Sequence, residues 1–163
     1  MDGLILFAQA VLTASIGAWM VRGSLDNWRY PALNIEAVRM VIQFDLMAQA
    51  YPDDYAKVAH RRINDPRIIR ALFALIVVWE TLAATLLSIG AVLLMASLLG
   101  AVDPVLARTI AALGALAFVT NWAGFLIGGD YFCYWYCHLG SQTTHFLLAI
   151  WGSLVVLVLV LPG

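Results

Sequence analysis

The chain has 163 residues, of which 63% are hydrophobic and only 12% are charged, and its mean hydropathy is +0.89. A soluble domain is usually about a quarter charged, so this composition argues against an ordinary soluble protein. The net charge of −1 argues against nucleic acid as a partner, and two cysteines are too few for a disulfide framework.

Four stretches carry no formal charge and are long enough to cross a bilayer: 3–21, 81–102, 109–129 and 131–163. A bilayer core of about 30 Å takes ~20 helical residues, so the chain is predicted to have four spans. We place these spans at about 3–21, 71–100, 105–128 and 141–162, in one membrane domain over 1–163. The predicted fold is all-α, an integral membrane four-helix bundle with a cytoplasmic amphipathic helical loop at 22–70. This leaves no room for a separate soluble catalytic domain.

The first predicted span differs from a signal peptide. Asp2 stands where a basic segment would be, and no small-residue cleavage site followed by polar sequence precedes Trp19, so we expect a retained helix. Trp19 and Arg22 at its end are typical of a cytoplasmic boundary.

The basic residues lie on one side of the predicted membrane. Eight of the nine Lys and Arg residues lie between Arg22 and Arg70, and only Arg108 lies on the other side. The positive-inside rule applies to a connection of under about 60 residues. We therefore expect the loop 22–70 and the segment 130–140 to be cytoplasmic, and both termini to be periplasmic or external.

The loop itself is predicted to contain helices. Asn34 can cap a first helix, which Pro52 ends, and a second helix is expected over about 53–62, with Pro66 leading into the second span. Four apolar positions follow one helical stripe: Ile35, Val38, Ile42 and Leu46. The pattern favours an interfacial amphipathic helix near anionic lipid. A docking platform for a partner protein is the alternative.

Two ordered sets of residues resemble a known family. The first set is Asp26-Asn27, Asn34, Val38, Asp45, Pro52, Arg62-Ile63, Pro66, Trp79-Glu80 and Gly90-Ala91. The second set is Gly128-Gly129-Asp130-Tyr131-Phe132, Trp135 and Ser141-Gln142. Together they resemble, over nearly the whole chain, a bacterial family of predicted small integral membrane proteins known only as a domain of unknown function.

The resemblance implies a four-helix protein of the bacterial inner membrane and supplies no activity. With the charge distribution, it places both termini in the periplasm. Members of that family carry a Trp-Asn-Gly-Gln-like run after the Gly-Gly-Asp/Glu-x-Phe motif, where this chain has Cys-Tyr-Trp-Tyr-Cys-His-Leu-Gly-Ser-Gln at 133–142. The two cysteines and His138 are therefore expected to be peculiar to this branch.

The first candidate site lies after the third span. Cys133 and Cys137 are four residues apart and would share a helix face with Asp130 if the helix continued through them. His138 is adjacent, and His145 follows about two turns later. Thiolate and imidazole ligands suit copper(I) or zinc, so these four residues are a candidate metal site, although the sequence requires no cofactor.

Simpler interpretations of these residues remain open. The spacing matches no standard metal-binding motif, and Gly140 is expected to break the helix between the two histidines. Free cysteines are commonly buried small hydrophobic residues, and histidines at a membrane boundary often serve as hydrogen-bonding anchors. Haem ligation is disfavoured because both histidines lie close to one boundary. The surrounding Tyr and Trp side chains are typical of an interfacial aromatic belt.

The second candidate is Glu80. It lies ten residues after Arg70, about 15 Å at helical rise and therefore near the middle of the membrane, where carboxylates are costly and often functional. The same depth in the other spans predicts these neighbours: Thr13, Ser15, Thr120, Asn121, Trp122 and Trp151. Either the carboxyl group pins the bundle together by hydrogen bonds, or it binds a proton, a cation or a quinone-like headgroup.

Two features describe the predicted packing. Small residues, including Gly17, Gly90 and Gly114, run along the first three spans and let helix backbones approach closely. The fourth span is entirely Leu and Val over 154–161. It is therefore expected to face lipid widely or to pack against another protein.

No nucleotide-binding loop, zinc-protease motif or Ser-His-Asp pattern is found in the sequence. We therefore expect a protein that is not an enzyme, most simply a non-catalytic accessory or scaffold subunit of an inner-membrane protein complex. Its expected partners are the lipid bilayer and other membrane subunits. The alternative is a membrane metal-binding or small-molecule or ion transport protein that uses Glu80 and the Cys/His residues.

Overall fold

The computed structural model describes residues 2–161, and that part of the chain is folded into helices without strands. The α-helices, in chain order, are α1 (Asp2–Arg29), α2 (Pro31–Ile42), α3 (Asp45–Ala50), α4 (Pro52–Val58), α5 (Pro66–Leu98), α6 (Pro104–Tyr131) and α7 (Leu139–Val160). Short 3-10 turns follow α4 at Ala59–Arg61 and precede α7 at Tyr134–Tyr136. The all-α prediction is confirmed.

Four of these helices, α1, α5, α6 and α7, are long and apolar enough to cross a membrane. The predicted number of spans is therefore confirmed, but α1 and α5 extend further than expected toward the loop. Helix α1 continues past Arg22 to Arg29, and Arg22 forms an ion pair with Asp26 one turn later. At the start of α5, Pro66 occupies the first turn and Asp65 accepts a hydrogen bond from the Arg67 amide.

Consecutive long helices are neighbours, since α1 packs on α5, α5 on α6, and α6 on α7. Glycines set the closest approaches. A Cβ atom at Gly90 would lie 2.6 Å from Ala111 Cα, and one at Gly114 would lie 2.7 Å from the Leu87 amide nitrogen. Backbone therefore meets backbone where α5 crosses α6, as the small-residue pattern predicts.

The two ends of the bundle differ, and we name them. The loop face carries α2–α4 and residues 132–138, and the far face carries the turn between α5 and α6. At the far face Gln9, whose side chain is fully buried, donates to the Val158 carbonyl oxygen at 2.8 Å and accepts from Arg108 Nε at 3.0 Å. This bridge joins α1, α6 and α7, and it ties α1 to the last turn of α7.

The loop face has its own small apolar core, which we call the loop core. It consists of the buried Phe44, Met47 and Cys133, together with the partly buried Tyr55, Val58, Phe132, Tyr136 and Cys137. Phe44 packs edge-on against Phe132 with their ring centroids 5.8 Å apart. The loop and the segment after α6 are therefore folded against each other.

Two residues of the loop core, Phe44 and Cys133, have left-handed backbones with φ of 57° and 53°. Left-handed geometry is uncommon for residues other than glycine and costs on the order of 1 kcal/mol. Each follows the end of a helix, where it turns the chain so that its own side chain enters the core.

The helix boundaries predicted in the loop need correction. Asn34 lies inside α2, which begins at Pro31, and the one helix predicted up to Pro52 is divided into α2 and α3 by the turn at Phe44. Pro52 also begins α4. Proline lacks an amide hydrogen and has a fixed φ, so it suits the first turn of a helix. The predicted stripe is also divided, because Ile42 is buried whereas Leu46, beyond the turn at Phe44, is 39% exposed.

Candidate functional site

Glu80 lies in the bundle at the contact of α5 with α1 and α6. Its side chain is only 6% exposed, and its Oε2 atom accepts a hydrogen bond from Asn27 Nδ2. Asn121, from α6, approaches the same carboxyl group, although its Nδ2 atom completes no hydrogen bond. An amide from each neighbouring helix therefore faces the carboxyl group.

The predicted neighbours of Glu80 are only partly correct. Asn121 is beside it, but the hydroxyl groups of Ser15 and Thr120 donate hydrogen bonds to carbonyl oxygens of their own helices. The buried Thr13 hydroxyl has no partner among residues 2–161. Asn27, which binds Glu80, is not among the predicted neighbours. The first predicted span stops before Arg22, so the prediction places Asn27 in the loop.

The depth of Glu80 can be judged from its surroundings. Trp79 and Trp28 are exposed on the outside of the bundle at this level, and Trp28 donates to Thr81 Oγ1 at 3.0 Å. Glu80 is 18 residues from the end of α5 at Leu98, about 27 Å at helical rise. Exposed Trp rings are typical of membrane interfaces. These features favour a position near the polar boundary of the loop face over the mid-membrane position predicted from Arg70.

A group of aromatic side chains, which we call the His145 cluster, lies where α6 and α7 meet near the loop face. The His145 ring is nearly parallel to three others, with centroid distances of 5.5 Å to Trp122, 4.9 Å to Phe125 and 6.2 Å to Tyr134. Gly129 makes room for one of them, since a Cβ atom there would lie 2.8 Å from the Tyr134 ring. Residues before and after the turn at 132–138 are thereby brought together.

Three polar atoms of the His145 cluster have no partners in the described chain. Trp122 Nε1, Tyr134 Oη and His145 Nδ1 are all buried, and none forms a hydrogen bond with any residue of 2–161. Buried polar groups are usually paired, because an unpaired one loses its bonds to water without compensation. The sequence pattern gave no sign of this cluster, since its members are spread over 122–145.

The structure does not group the predicted metal ligands. Helix α6 ends at Tyr131, so Cys133 and Cys137 share no helix face with Asp130, whose side chain is exposed. Cys133 lies in the loop core, whereas His145 lies in its own cluster. Within residues 2–161 no three His, Cys, Asp or Glu side chains come together in a way that could hold a metal ion.

Burial shifts the pKa of two loop-face residues. It raises the pKa of the Cys133 thiol, which lies in the loop core. Burial lowers the pKa of His138, which precedes the first turn of α7.

The predicted helix break at Gly140 needs correction. The break lies before Leu139, and Gly140 is inside α7.

Arg61 fastens the loop to the end of α6. Its Nη1 atom donates to the Tyr131 carbonyl oxygen at 3.0 Å, and its guanidinium group lies 5.0 Å from the centre of the Tyr131 ring. The last carbonyl groups of a helix lack partners within the helix, so a cation there is stabilising. Sequence position alone could not pair residues 70 apart.

A family model described as "Predicted small integral membrane protein (DUF2165)" matches residues 5–162. The chain belongs to this family. It is thus an integral membrane protein with several spans, as the resemblance noted in the sequence implied. No curated protein and no solved structure matches the chain significantly.

Proposed function

We propose that this protein is a non-catalytic accessory subunit of a membrane protein complex in the bacterial inner membrane. The observation that carries the proposal is a groove between α1 and α5 on the outer surface of the bundle. It is shallow and open, and the residues that line it are Val21, Ser24, Leu25, Trp28, Thr81, Ala84, Thr85, Ser88 and Ile89.

The groove has the chemistry of a helix-packing surface. Ser24, Ala84 and Ser88 are small, and the hydroxyl groups of Ser24, Thr81, Thr85 and Ser88 are paired within the chain, so the groove presents a mainly apolar surface. Small and hydroxyl residues drive helix association in lipid, where apolar side chains gain nothing by leaving the hydrocarbon. We infer that a transmembrane helix of another subunit packs here.

The charge pattern supports the proposed orientation. Arg29, Arg67 and Arg70 are exposed around the loop-face ends of α1 and α5, as expected of a cytoplasmic boundary. On this orientation the loop core faces the cytoplasm and both termini are periplasmic. Accessibility of single cysteines introduced at Arg67 and Asp103 to a membrane-impermeant maleimide in intact cells would test it, and labelling of Arg67→Cys from outside would contradict it.

The partner is tested by filling the groove. Ser88→Leu should abolish stoichiometric copurification of a second membrane protein in mild detergent. Ser153→Leu on α7 is a matched control, because both serines are exposed and donate to the carbonyl oxygen four residues earlier. A partner that survives Ser88→Leu, or a chain that purifies alone at its own mass, would refute the proposal.

Small-molecule binding is the second candidate function. It is favoured by the unpaired buried atoms of the His145 cluster. The form of this alternative that uses Cys133, Cys137, His138 and His145 as joint metal ligands has no support from the geometry.

A further inference from the structure

We propose that Trp122, Tyr134 and His145 bind the carbonyl oxygen of an uncharged molecule that enters from the lipid phase. The inference starts from the three buried polar atoms of these residues, none of which is paired within residues 2–161. Trp122 is 8% exposed and Tyr134 is 4% exposed, so solvent at the surface does not serve these two groups.

The hydrogen bonds that the three side chains can form indicate which chemical group can bind them. The indole nitrogen of Trp122 can only donate a hydrogen bond, whereas the Tyr134 hydroxyl group and His145 Nδ1 can donate or accept. The three groups do not bond to one another. A carbonyl oxygen from outside the chain offers two lone pairs, which can accept from the Trp122 indole and from one of the other two groups.

The surrounding charges argue that the ligand is neutral. Asp130 is close enough to Tyr134 to act on it electrostatically, so an anion would be repelled there. A cation cannot accept the hydrogen bond that the Trp122 indole N–H group offers, so it would leave that group unpaired.

The location indicates a route from the bilayer. His145 is in the second turn of α7, and the next two residues, Phe146 and Leu147, are 50% and 62% exposed on the outside of the bundle. Two lipid-phase molecules offer the required oxygen, a quinone ring and the ester group of a phospholipid.

The experiment uses the full chain in lipid nanodiscs with two probes. In the first arm, a short-tailed quinone is added to nanodiscs of ether-linked phospholipids, which lack ester carbonyl groups. In the second arm, nanodiscs of ester-linked phospholipids are compared with nanodiscs of ether-linked phospholipids that have the same headgroup. Thermal unfolding is measured in each. We expect the quinone or the ester lipid to raise the unfolding temperature, and the arm that responds identifies the source.

Tyr134→Phe is the decisive variant, because it removes one hydroxyl group and keeps the ring. It should bind the responding probe about fivefold more weakly, the usual loss for one uncharged hydrogen bond. Without the probe it should be at least as stable as the unaltered chain, since it lacks an unpaired buried hydroxyl group. Tyr131→Phe is the control, because that side chain is 53% exposed.

Two outcomes would overturn the proposal. One is that neither the quinone nor the ester lipid shifts unfolding, which would leave only water for the three polar atoms. The other is that Tyr134→Phe and Tyr131→Phe respond equally to the probe.

Discussion

The membrane bundle and the loop core are both apolar, but they are held together by different means. In the bundle, the glycines Gly90 and Gly114 bring α5 and α6 into backbone contact along regular helices. In the loop core, aromatic side chains from the turn before α3, from α4 and from the turn after α6 meet because Phe44 and Cys133 adopt left-handed backbones. The comparison shows two ways of packing. In the bundle, regular helices pack backbone against backbone, whereas on the loop face irregular turns are stabilised by the apolar side chains that they bury.

The bundle should be the more sensitive of the two regions to added volume. Gly90→Ala places a Cβ atom against the backbone of Ala111, so the two helices must separate, and we expect a loss of about 3 kcal/mol in unfolding free energy. Unfolding in detergent, followed by circular dichroism, measures it. Gly124→Ala in α6 is the control, because nothing lies within 4 Å of that position and no loss is expected.

The loop core should open without unfolding the bundle. Phe44→Ala removes a side chain that is 2% exposed and should cost about 3 kcal/mol of local stability. Limited proteolysis of the loop reports it, and Leu33→Ala, at a 70% exposed position, should have no effect. Global unfolding of the bundle by Phe44→Ala would show that the two regions are one cooperative unit.

Phe44→Gly separates the loss of the aromatic ring from the strain of the left-handed backbone at that position. It loses the same aromatic ring, but glycine adopts φ of 57° without strain. We expect it to be less destabilising than Phe44→Ala by up to about 1 kcal/mol. Equal losses would mean that the left-handed turn carries no strain.

The polar contact of Glu80 tests whether the bundle also depends on a specific hydrogen bond. Asn27→Ala leaves the buried carboxyl group with fewer partners, and we expect a loss of about 1 kcal/mol. A double-mutant cycle with Glu80→Gln measures the coupling. Zero coupling energy between positions 27 and 80 would mean that the pair is not formed in lipid.

The smallest expected effect is a pH dependence confined to the loop face. Burial lowers the pKa of His138 in the folded state, so its stabilising contribution is complete above the unfolded value of about 6.5. It is lost as the pH falls through the lower folded value, because the unfolded chain binds the proton first. The protection factors of amides 134–140 against hydrogen exchange should fall below about pH 6.5, and this decrease should disappear in His138→Gln but persist in His60→Gln.

Hydropathy predicted the bundle because a helix that crosses lipid must be long and uncharged, whatever its neighbours are. The same rule did not predict where the helices end. Arg22 did not end α1, which continues to Arg29, and Asn27 was consequently assigned to the loop. Counting residues from Arg70 then gave Glu80 a greater depth than its interfacial Trp neighbours support.

The site was predicted least well where the chain departs from regular helix. The predicted metal ligands assumed that α6 continues through Cys133, but the left-handed turn at that residue directs Cys133 into the loop core and away from His145. A single residue with positive φ leaves no periodic signal in the sequence. The placement of Cys133 and His145 in different clusters could not be read from their spacing.

The sequence by itself determined the four spans, their small-residue contacts and the concentration of basic residues on one side, because each follows from local composition and helical geometry. Only the tertiary structure decided that Asn27 binds Glu80, that the loop folds onto the turn after α6, and that His145 is surrounded by Trp122, Phe125 and Tyr134. The physical reason is that these contacts join distant segments, whose meeting depends on helix packing and on two left-handed residues.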